Sequence, residues 1–406
     1  MVDLPDSILF LSNGHAEDTI AAKIAEKLQE QATPWKIIAL PLVGQGLAWD
    51  HLSRIETIGP KKILPSGGFA GFNLYYLTKD IFAGWLKVFK EQLRVLRGLR
   101  RKVRITVCVG DVLLIVLASL FVRRPIIFFP TAKSVYAGAF KNHYLVEKWL
   151  IKRFCCLVFP RDERTTVSLQ EWGIKAYWVG NLMLDCLEIT HRSLNAERNP
   201  YVVGILPGSR QEAYHNLSTI LAAVSLIDRE ANFSGKITYL LALAPSLKLA
   251  EIKRKLARGK DWSLTGTKKD VQTAGIVGYL TDSQGTKIKV IKGKFGDILD
   301  QSRVVIGVSG MANEQVVGLG KSLVSFPGKG PQITRRFLQI QQQLIGGAVF
   351  LVKPDAEAIA EKVCSILTNP GRFEKLIREG RRRMGKPGAT ERIANVIGRT
   401  VDKLSD

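Results

Sequence analysis

The 406 residues are 46% hydrophobic and 23% charged. That is the composition of an ordinary globular protein, and it excludes a disordered, collagenous or low-complexity chain. The length exceeds what one core ordinarily organises, so two domains are expected. Lys and Arg number 59 against 36 Asp and Glu, a formal charge of +23, and such a surplus attracts nucleic acid, anionic lipid headgroups or phosphorylated ligands. A merely basic enzyme is the plainer alternative.

Cys108, Cys155, Cys156, Cys186 and Cys364 form no CxxC pair and have no His/Cys cluster at ligand spacing. No metal is therefore expected, and the thiols read as small core residues of a reducing compartment. Met1 to Ser7 carries two aspartates ahead of the first apolar run and lacks the basic start of a signal peptide, so a cytoplasmic location is expected. One apolar run invites a membrane span: Ile105 to Val122, 18 residues with Asp111 as the only charge. An aspartate at mid-span costs roughly 2.5 to 3.5 kcal/mol on insertion. The run divides better as strand Ile105 to Val109, turn Gly110-Asp111 and buried helix Val112 to Val122.

In chain order, Ser7 to Leu11 reads as a strand, followed by a loop to Asp18 and a helix through Leu28. Strands at Lys36 to Leu40, Ile105 to Val109, Ile126 to Phe129, Cys156 to Phe159 and Ala176 to Val179 follow. His191 to Pro200 turns polar and ends in Asn-Pro, which marks a junction. A second alternation then runs through strand Tyr201 to Leu206, helix Glu212 to Ile227 and strand Ile237 to Ala242. Further strands fall at Lys287 to Ile291, Val304 to Val308, Ser322 to Phe326 and Ala348 to Leu351, and helices at Asp355 to Thr368 and Gly371 to Met384. Strands separated by helices predict βαβ units and parallel sheets. The expected domains are 1–192 and 200–385, with 386–406 a C-terminal helix able to pack back on the first. In such sheets ligands bind outside the carboxyl ends of the strands.

Two segments carry the most chemistry. Gly204 to Glu212 reads GILPGSRQE, a buried strand entering a Gly-Ser turn and then a helix. Backbone amides and the helix N-terminus there suit an anion, and Arg210 adds a fork-shaped donor for phosphate. Gly307 to Gln315 reads GVSGMANEQ, with Glu314 in the first turn of the following helix. That carboxylate either complements the helix dipole or accepts two ribose hydroxyls.

These segments resemble those of lipid-A-disaccharide synthase and, more distantly, other UDP-sugar enzymes of the GT-B superfamily. In that family a strand ending LPGSR opens the donor domain, and an SGTxxLE segment precedes the ribose-binding helix. Here they correspond to Leu206 to Arg210 and Ser309 to Glu314. Val158 to Glu163 followed by Val179-Gly180-Asn181 is similar to the LPFE…VGHP stretch, and Pro130 to Tyr136 to the PSVWAW loop. Met384 to Ala389 is similar to an end-of-domain motif of these transferases. Two positions depart from the pattern. The family's GExSGD start reads Ser12-Asn13-Gly14-His15-Ala16-Glu17-Asp18, and its DAPDF reads Gly110-Asp111-Val112-Leu113-Leu114. Both lie on the acceptor and catalytic side, so fold and donor class carry over better than the substrate.

The resemblance implies a GT-B fold, two doubly wound parallel-sheet α/β domains facing a cleft. It implies UDP-sugar as donor substrate, with no metal. Gly208, Ser209, Arg210, Ser309, Gly310, Met311, Asn313 and Glu314 would form the donor site. Related enzymes place glutamine-bearing loops against sugar hydroxyls, and Gln341 and Gln342 follow the Gly/Pro-rich loop Pro327 to Gln332; a polar helix face is the equal alternative. Transfer needs a base for the acceptor hydroxyl, for which histidine suits neutral pH. His15 follows the first strand and Asp111 another of the same domain, so an imidazole with a supporting carboxylate is expected, with Glu17 and Asp18 as alternative bases.

Ser66 to Arg104 concentrates aromatic and basic residues. Phe69, Phe72, Tyr75, Tyr76, Phe82 and Trp85 precede an amphipathic helix on which Leu86, Phe89, Leu93 and Leu96 recur. Lys87, Lys90, Arg94, Arg97 and Arg101 run beside them. An apolar face edged by cations is one way a helix lies on an anionic membrane; a core helix with solvated cations is the other. The first predicts a peripheral enzyme on the inner face of a membrane, acting on a lipid or lipid-linked acceptor. A UDP-sugar 2-epimerase and a non-catalytic membrane- or nucleic-acid-binding scaffold are the alternatives. Nucleic acid rests on charge alone, because no zinc finger, RNP signature or KH loop is present.

Overall fold

A computed structural model describes residues 7–31, 34–43, 46–60, 85–131, 133–138, 143–191, 194, 199–230, 233, 236–257, 261–266, 275–329 and 333–404. The chain divides into two compact units, 1–186 with 387–406, and 187–386. The first opens with β1 (Ser7–Ser12), α1 (His15–Glu30), β2 (Lys36–Pro41), β3 (Ile55–Thr57), α2 (Trp85–Leu99) and β4 (Val103–Gly110). Next come α3 (Val112–Leu117), a π-helical segment Ala118–Val122, β5 (Ile126–Pro130), α4 (Leu145–Phe154), β6 (Cys155–Val158), α5 (Glu163–Gln170) and α6 (Leu182–Asp185). The six strands are all parallel, in the order β3-β2-β1-β4-β5-β6. That is the doubly wound order, and its direction reverses between β1 and β4.

Ser7–Ser12 is buried along its whole length, as is Val103–Gly110. A parallel strand covered on both faces has no solvent side, which explains the continuous apolar runs. The 105–122 run is strand and helix, as its division predicts, with Asp111 as the N-cap of α3. No helix among the described residues is long and apolar enough to cross a membrane. All five cysteines are free, and burial pushes the Cys108 thiol upward.

The second unit contains β7 (Val202–Leu206), α7 (Ala213–Arg229), β8 (Thr238–Leu243), α8 (Leu249–Leu256), β9 (Trp262–Gly266), β10 (Ile276–Asp282) and β11 (Lys287–Lys292). It continues with α9 (Phe295–Gln301), β12 (Val304–Gly307), α10 (Met311–Gly318), β13 (Ser322–Ser325), α11 (Arg335–Ile345), β14 (Val349–Leu351), α12 (Ala356–Thr368) and α13 (Glu374–Met384). The strand order is β14-β13-β12-β7-β8-β11-β10-β9. The pairs from β14 to β11 are parallel, while β10 runs antiparallel to both β11 and β9. The hairpin β10–β11 turns on Asp282, whose Oδ1 accepts from the backbone of Gln284 and Thr286. Here the direction of winding reverses between β7 and β12.

The chain then returns to the first unit as α14 (Ala389–Lys403), which packs against α1. Its N-cap is Gly388 at φ +85°, which has no side chain to satisfy the first amides. Asp185 supplies the missing acceptor: its carboxylate takes the amides of Gly388 and Thr390, each at 2.6 Å, and the Thr390 hydroxyl at 2.9 Å.

Two expectations are corrected. Ala176 to Val179 is not a strand: only Ala176 bridges to Val158, after which Asn181 caps α6 through Met183. The strands β3, β9 and β10 form where none is expected from sequence.

Candidate functional site

In the second unit the two chemistry-bearing segments leave adjacent strands at the point where winding reverses. β7 pairs with β12 from Val203–Val304 to Leu206–Gly307, and the Val308 amide donates to the Leu206 carbonyl at 3.0 Å. Segments 207–212 and 308–310 therefore emerge side by side, where doubly wound sheets bind ligands. Gly208 has φ +112°, and a Cβ on it would stand 3.2 Å from the Val308 carbonyl oxygen. A side chain would both strain this backbone and crowd the neighbouring loop. Ser209 and Arg210 are exposed beyond it, and the Ser209 carbonyl accepts from the Ser246 hydroxyl.

Gly310 is the N-cap of α10 and Met311 its first residue; with Ser309 they are half-buried. The first amides of a helix have no acceptor within it, which leaves a partial positive charge here. Glu314 sits in this first turn at 7% exposure. Asn313 is wholly buried and donates to Gln341 Oε1 at 3.0 Å. Gln341 Nε2 donates to the Gly310 carbonyl at 2.8 Å, and Gln342 Nε2 to the Val349 carbonyl at 2.8 Å. The amide groups of Asn313, Gln341 and Gln342 are thus directed into the protein. Asn313 and Gln341 hold the Gly310 turn in place, and Gln342 ties α11 to β14.

Sequence reasoning missed Asn216. It lies on the buried face of α7, at 3% exposure, donating to the Pro207 carbonyl at 3.4 Å and accepting the Lys329 amide at 3.0 Å. One side chain so joins the loop after β7 to the loop after β13. A polar residue among Ala213, Leu217 and Ile220 on an apolar stripe is the signal that could have found it. Gly330, Pro331 and Gln332 of the second loop lie outside the described residues.

In the first unit the winding reverses between β1 and β4, and His15 and Asp111 follow these two strands. The two residues do lie beyond adjacent carboxyl ends, but no hydrogen bond joins them. His15 is the exposed first residue of α1. Asp111 Oδ1 accepts the Leu113 amide at 2.9 Å, so the carboxylate caps α3. Asn13, just after β1, lies against Gly110 at the end of β4, where a Cβ on Gly110 (φ +147°) would stand 1.9 Å from its Oδ1.

Glu17 and Asp18 take different environments. Glu17 Oε1 accepts from the Thr131 hydroxyl at 2.8 Å, and Arg161 donates to the Thr131 carbonyl at 2.8 Å. Thr131 and Arg161 also line a cavity of about 30 Å³ with Phe129, Phe159, Asn181 and Ile393. Asp18 is 2% exposed, and Ser12 donates to its Oδ1 at 2.6 Å. Burial pushes its carboxyl up to about 7, against the Ser12 hydrogen bond, with Glu17 adding to the rise. Through Ser12, Asp18 ties the first turn of α1 to the end of β1.

The basic stripe of α2 is exposed at Lys87, Lys90, Arg94 and Arg97, with Arg101 just beyond the helix. Its apolar stripe, at the described side chains, lies in the core. Leu96 is fully buried, and Phe89 and Leu93 pack against the same core. Gln92 adds a hydrogen bond to the Leu42 carbonyl at 2.9 Å. At the described side chains the amphipathic pattern is that of a core helix with its cations facing outward. Phe69, Phe72, Tyr75, Tyr76 and Phe82 lie outside the described residues, and Trp85 is the first residue of α2. Among the described residues no group of three or more His, Cys, Asp or Glu is placed to hold a metal ion.

No protein-family model matches the chain, and no curated protein sequence matches it. Solved structures do. The calicheamicin glycosyltransferase CalG4 is similar over 99% of this chain and 100% of its own, at 13% identity and a TM-score of 0.63. The fold is GT-B. MnaA of S. aureus, solved with UDP, is similar over 99% of this chain and 98% of its own, at 13% identity and a TM-score of 0.60. The UDP-GlcNAc 2-epimerase of Neisseria meningitidis, solved with UDP-GlcNAc, matches over 98% of this chain and 100% of its own, at 16% identity and a TM-score of 0.56.

Proposed function

We propose that this GT-B chain is a UDP-sugar-dependent hexosyltransferase, distantly related to lipid-A-disaccharide synthase, acting on a lipid or lipid-linked acceptor at a membrane surface. The observation that carries this is the emergence of segments 207–210 and 309–314 side by side at the winding reversal of the second unit. Gly208, Ser209 and Arg210 would meet the diphosphate through backbone amides and a guanidinium, and Glu314 the ribose. Two of the solved structures similar to this chain hold UDP or UDP-GlcNAc, which supports that ligand class.

In the reaction the acceptor hydroxyl oxygen attacks the anomeric carbon, its proton passes to His15, and the bond to the diphosphate oxygen breaks with UDP taking the electron pair. Helix N-terminal amides and Arg210 stabilise the charge that develops on the leaving diphosphate. Asp111 acts as the cap that orders the loop beside His15. The +23 charge and the outward cations of α2 favour an acceptor carried on an anionic surface over a soluble one.

A second reading has its own support: one of the similar structures is of a UDP-GlcNAc 2-epimerase, solved with UDP-GlcNAc. The two separate in one assay. A UDP-sugar is supplied with and without a glycolipid acceptor extract. A transferase releases UDP with the acceptor and leaves the sugar nucleotide unchanged without it; acceptor-independent isomerisation of the sugar nucleotide would favour the epimerase.

A further inference from the structure

The first part of helix α4 turns apolar side chains outward. Leu145, Val146 and Trp149 are 67%, 68% and 58% exposed, while Lys148 is 8% exposed. The Lys148 ammonium donates to the Ser168 hydroxyl at 3.4 Å and lies 5.1 Å from the Trp172 ring. Tyr144, just before the helix, is 52% exposed, and Leu113 on the neighbouring α3 is 47% exposed. Single exposed apolar residues are ordinary, but a cluster on one helix end marks a contact surface.

The position of the cluster is set by topology. Helices that follow parallel strands start at the carboxyl edge of the sheet, so α3 and α4, which pack side by side, both begin on the edge that carries His15 and Asp111. The surroundings are cationic. Lys152 and Arg153, three and four residues beyond Trp149 on α4, are exposed. Glu147, the only acid on α4, lies 3.3 Å from Lys133 and 3.4 Å from His143, and these contacts hold its carboxyl below the usual range against the opposing effect of burial. An apolar and aromatic helix start with exposed cations one turn further along complements an anionic bilayer: the side chains enter the acyl boundary while the cations meet headgroups.

We infer that Leu113, Tyr144, Leu145, Val146 and Trp149 dock the first unit on an anionic lipid surface. The docking brings the His15 edge to the plane in which a lipid-linked acceptor lies. The inference rests on the lipid-acceptor reading for its purpose, and on exposure and charge for its physics. It moves the docking surface from the apolar face of α2, which is in the core, to the start of α4.

The test is co-sedimentation of the full chain with phosphatidylcholine vesicles and with phosphatidylcholine–phosphatidylglycerol vesicles, for the wild type and the triple variant Leu145→Ser, Val146→Ser, Trp149→Ser. These side chains are exposed, and equal melting temperatures check that the variant folds. The wild type is expected to bind the anionic vesicles and not the neutral ones, and the variant to bind at least tenfold more weakly. Equal binding by both proteins, or no binding by the wild type, overturns the proposal. So does a wild-type dimer that the variant dissolves with vesicle binding unchanged, since the patch is then a contact between copies. UDP titration of the same two proteins keeps the failures apart: vesicle binding without UDP binding upholds the docking surface and removes the donor assignment, and the converse does the reverse.

Discussion

The Asn313 side chain donates to Gln341 Oε1 at 3.0 Å, and Gln341 donates onward to the Gly310 carbonyl at 2.8 Å. Both side chains are buried, so this relay fixes the turn that opens α10. Gln341→Leu would leave the Asn313 amide and the Gly310 carbonyl without these partners, which costs about 1–3 kcal/mol of stability. UDP affinity should fall with it, by about tenfold, because a loosened turn must be ordered on binding. Thermal melts and calorimetry on the variant measure both. A variant of unchanged stability but altered sugar selectivity would show that Gln341 meets the sugar directly.

Arg210 is exposed and stands after the Gly208 turn. Arg210→Ala should leave stability within about 0.5 kcal/mol and lower turnover about 100-fold or more through loss of charge stabilisation on the leaving group. Lysine there keeps the charge without the fork and should recover only part of the rate. Steady-state kinetics on the two variants decide it; near-normal turnover in the alanine variant removes Arg210 from the donor site.

Asp18 makes stability depend on pH. Its carboxyl is raised from 3.8 to about 7 in the folded chain, chiefly by burial. The fold therefore holds this proton more tightly than the unfolded chain does. The stabilisation is complete below about pH 4, declines as pH rises, and is gone above about pH 7. The swing is on the order of a few kcal/mol. Asp18→Asn cannot ionise, so its stability relative to the wild type should rise between pH 4 and 7, as urea denaturation at several pH values would show. A constant difference across that range would mean that Asp18 stays ionised in the fold.

His15→Ala should abolish transfer and leave UDP affinity unchanged, because the residue lies in the first unit and the nucleotide is assigned to the second. Activity retained in His15→Ala and lost in Glu17→Gln would move the base to the carboxylate that Thr131 holds.

Much of the fold is legible because parallel strands leave a plain trace: Ile8 to Leu11 is apolar throughout and Ile105 to Val109 apolar but for Thr106, both being buried on both sides. Strands at or next to the sheet margins leave a weaker one. β10 alternates buried and half-buried residues with Gly278 inside it, and β3 has three residues. The segments proposed to meet the donor stand out because each sets Gly and Ser between an apolar strand and a helix. Asn216 and Asn13 do not, since the value of such an amide depends on neighbours more than 90 residues away, Lys329 for the first and Gly110 for the second. The amphipathic pattern of α2 has the same form over a core as over a bilayer. Only the sheet beneath Leu96 distinguishes the two, and the exposed end of α4 has too short a pattern to attract notice.

The central claim is that the second unit binds a uridine nucleotide at the winding reversal between β7 and β12. Calorimetric titration of the purified chain with UDP, alongside ADP and GDP, tests it most directly. Saturable binding of UDP in preference to the other two, lost in Glu314→Ala, is the predicted result. No binding to any nucleotide, or equal binding of all three unaffected by that substitution, would contradict it.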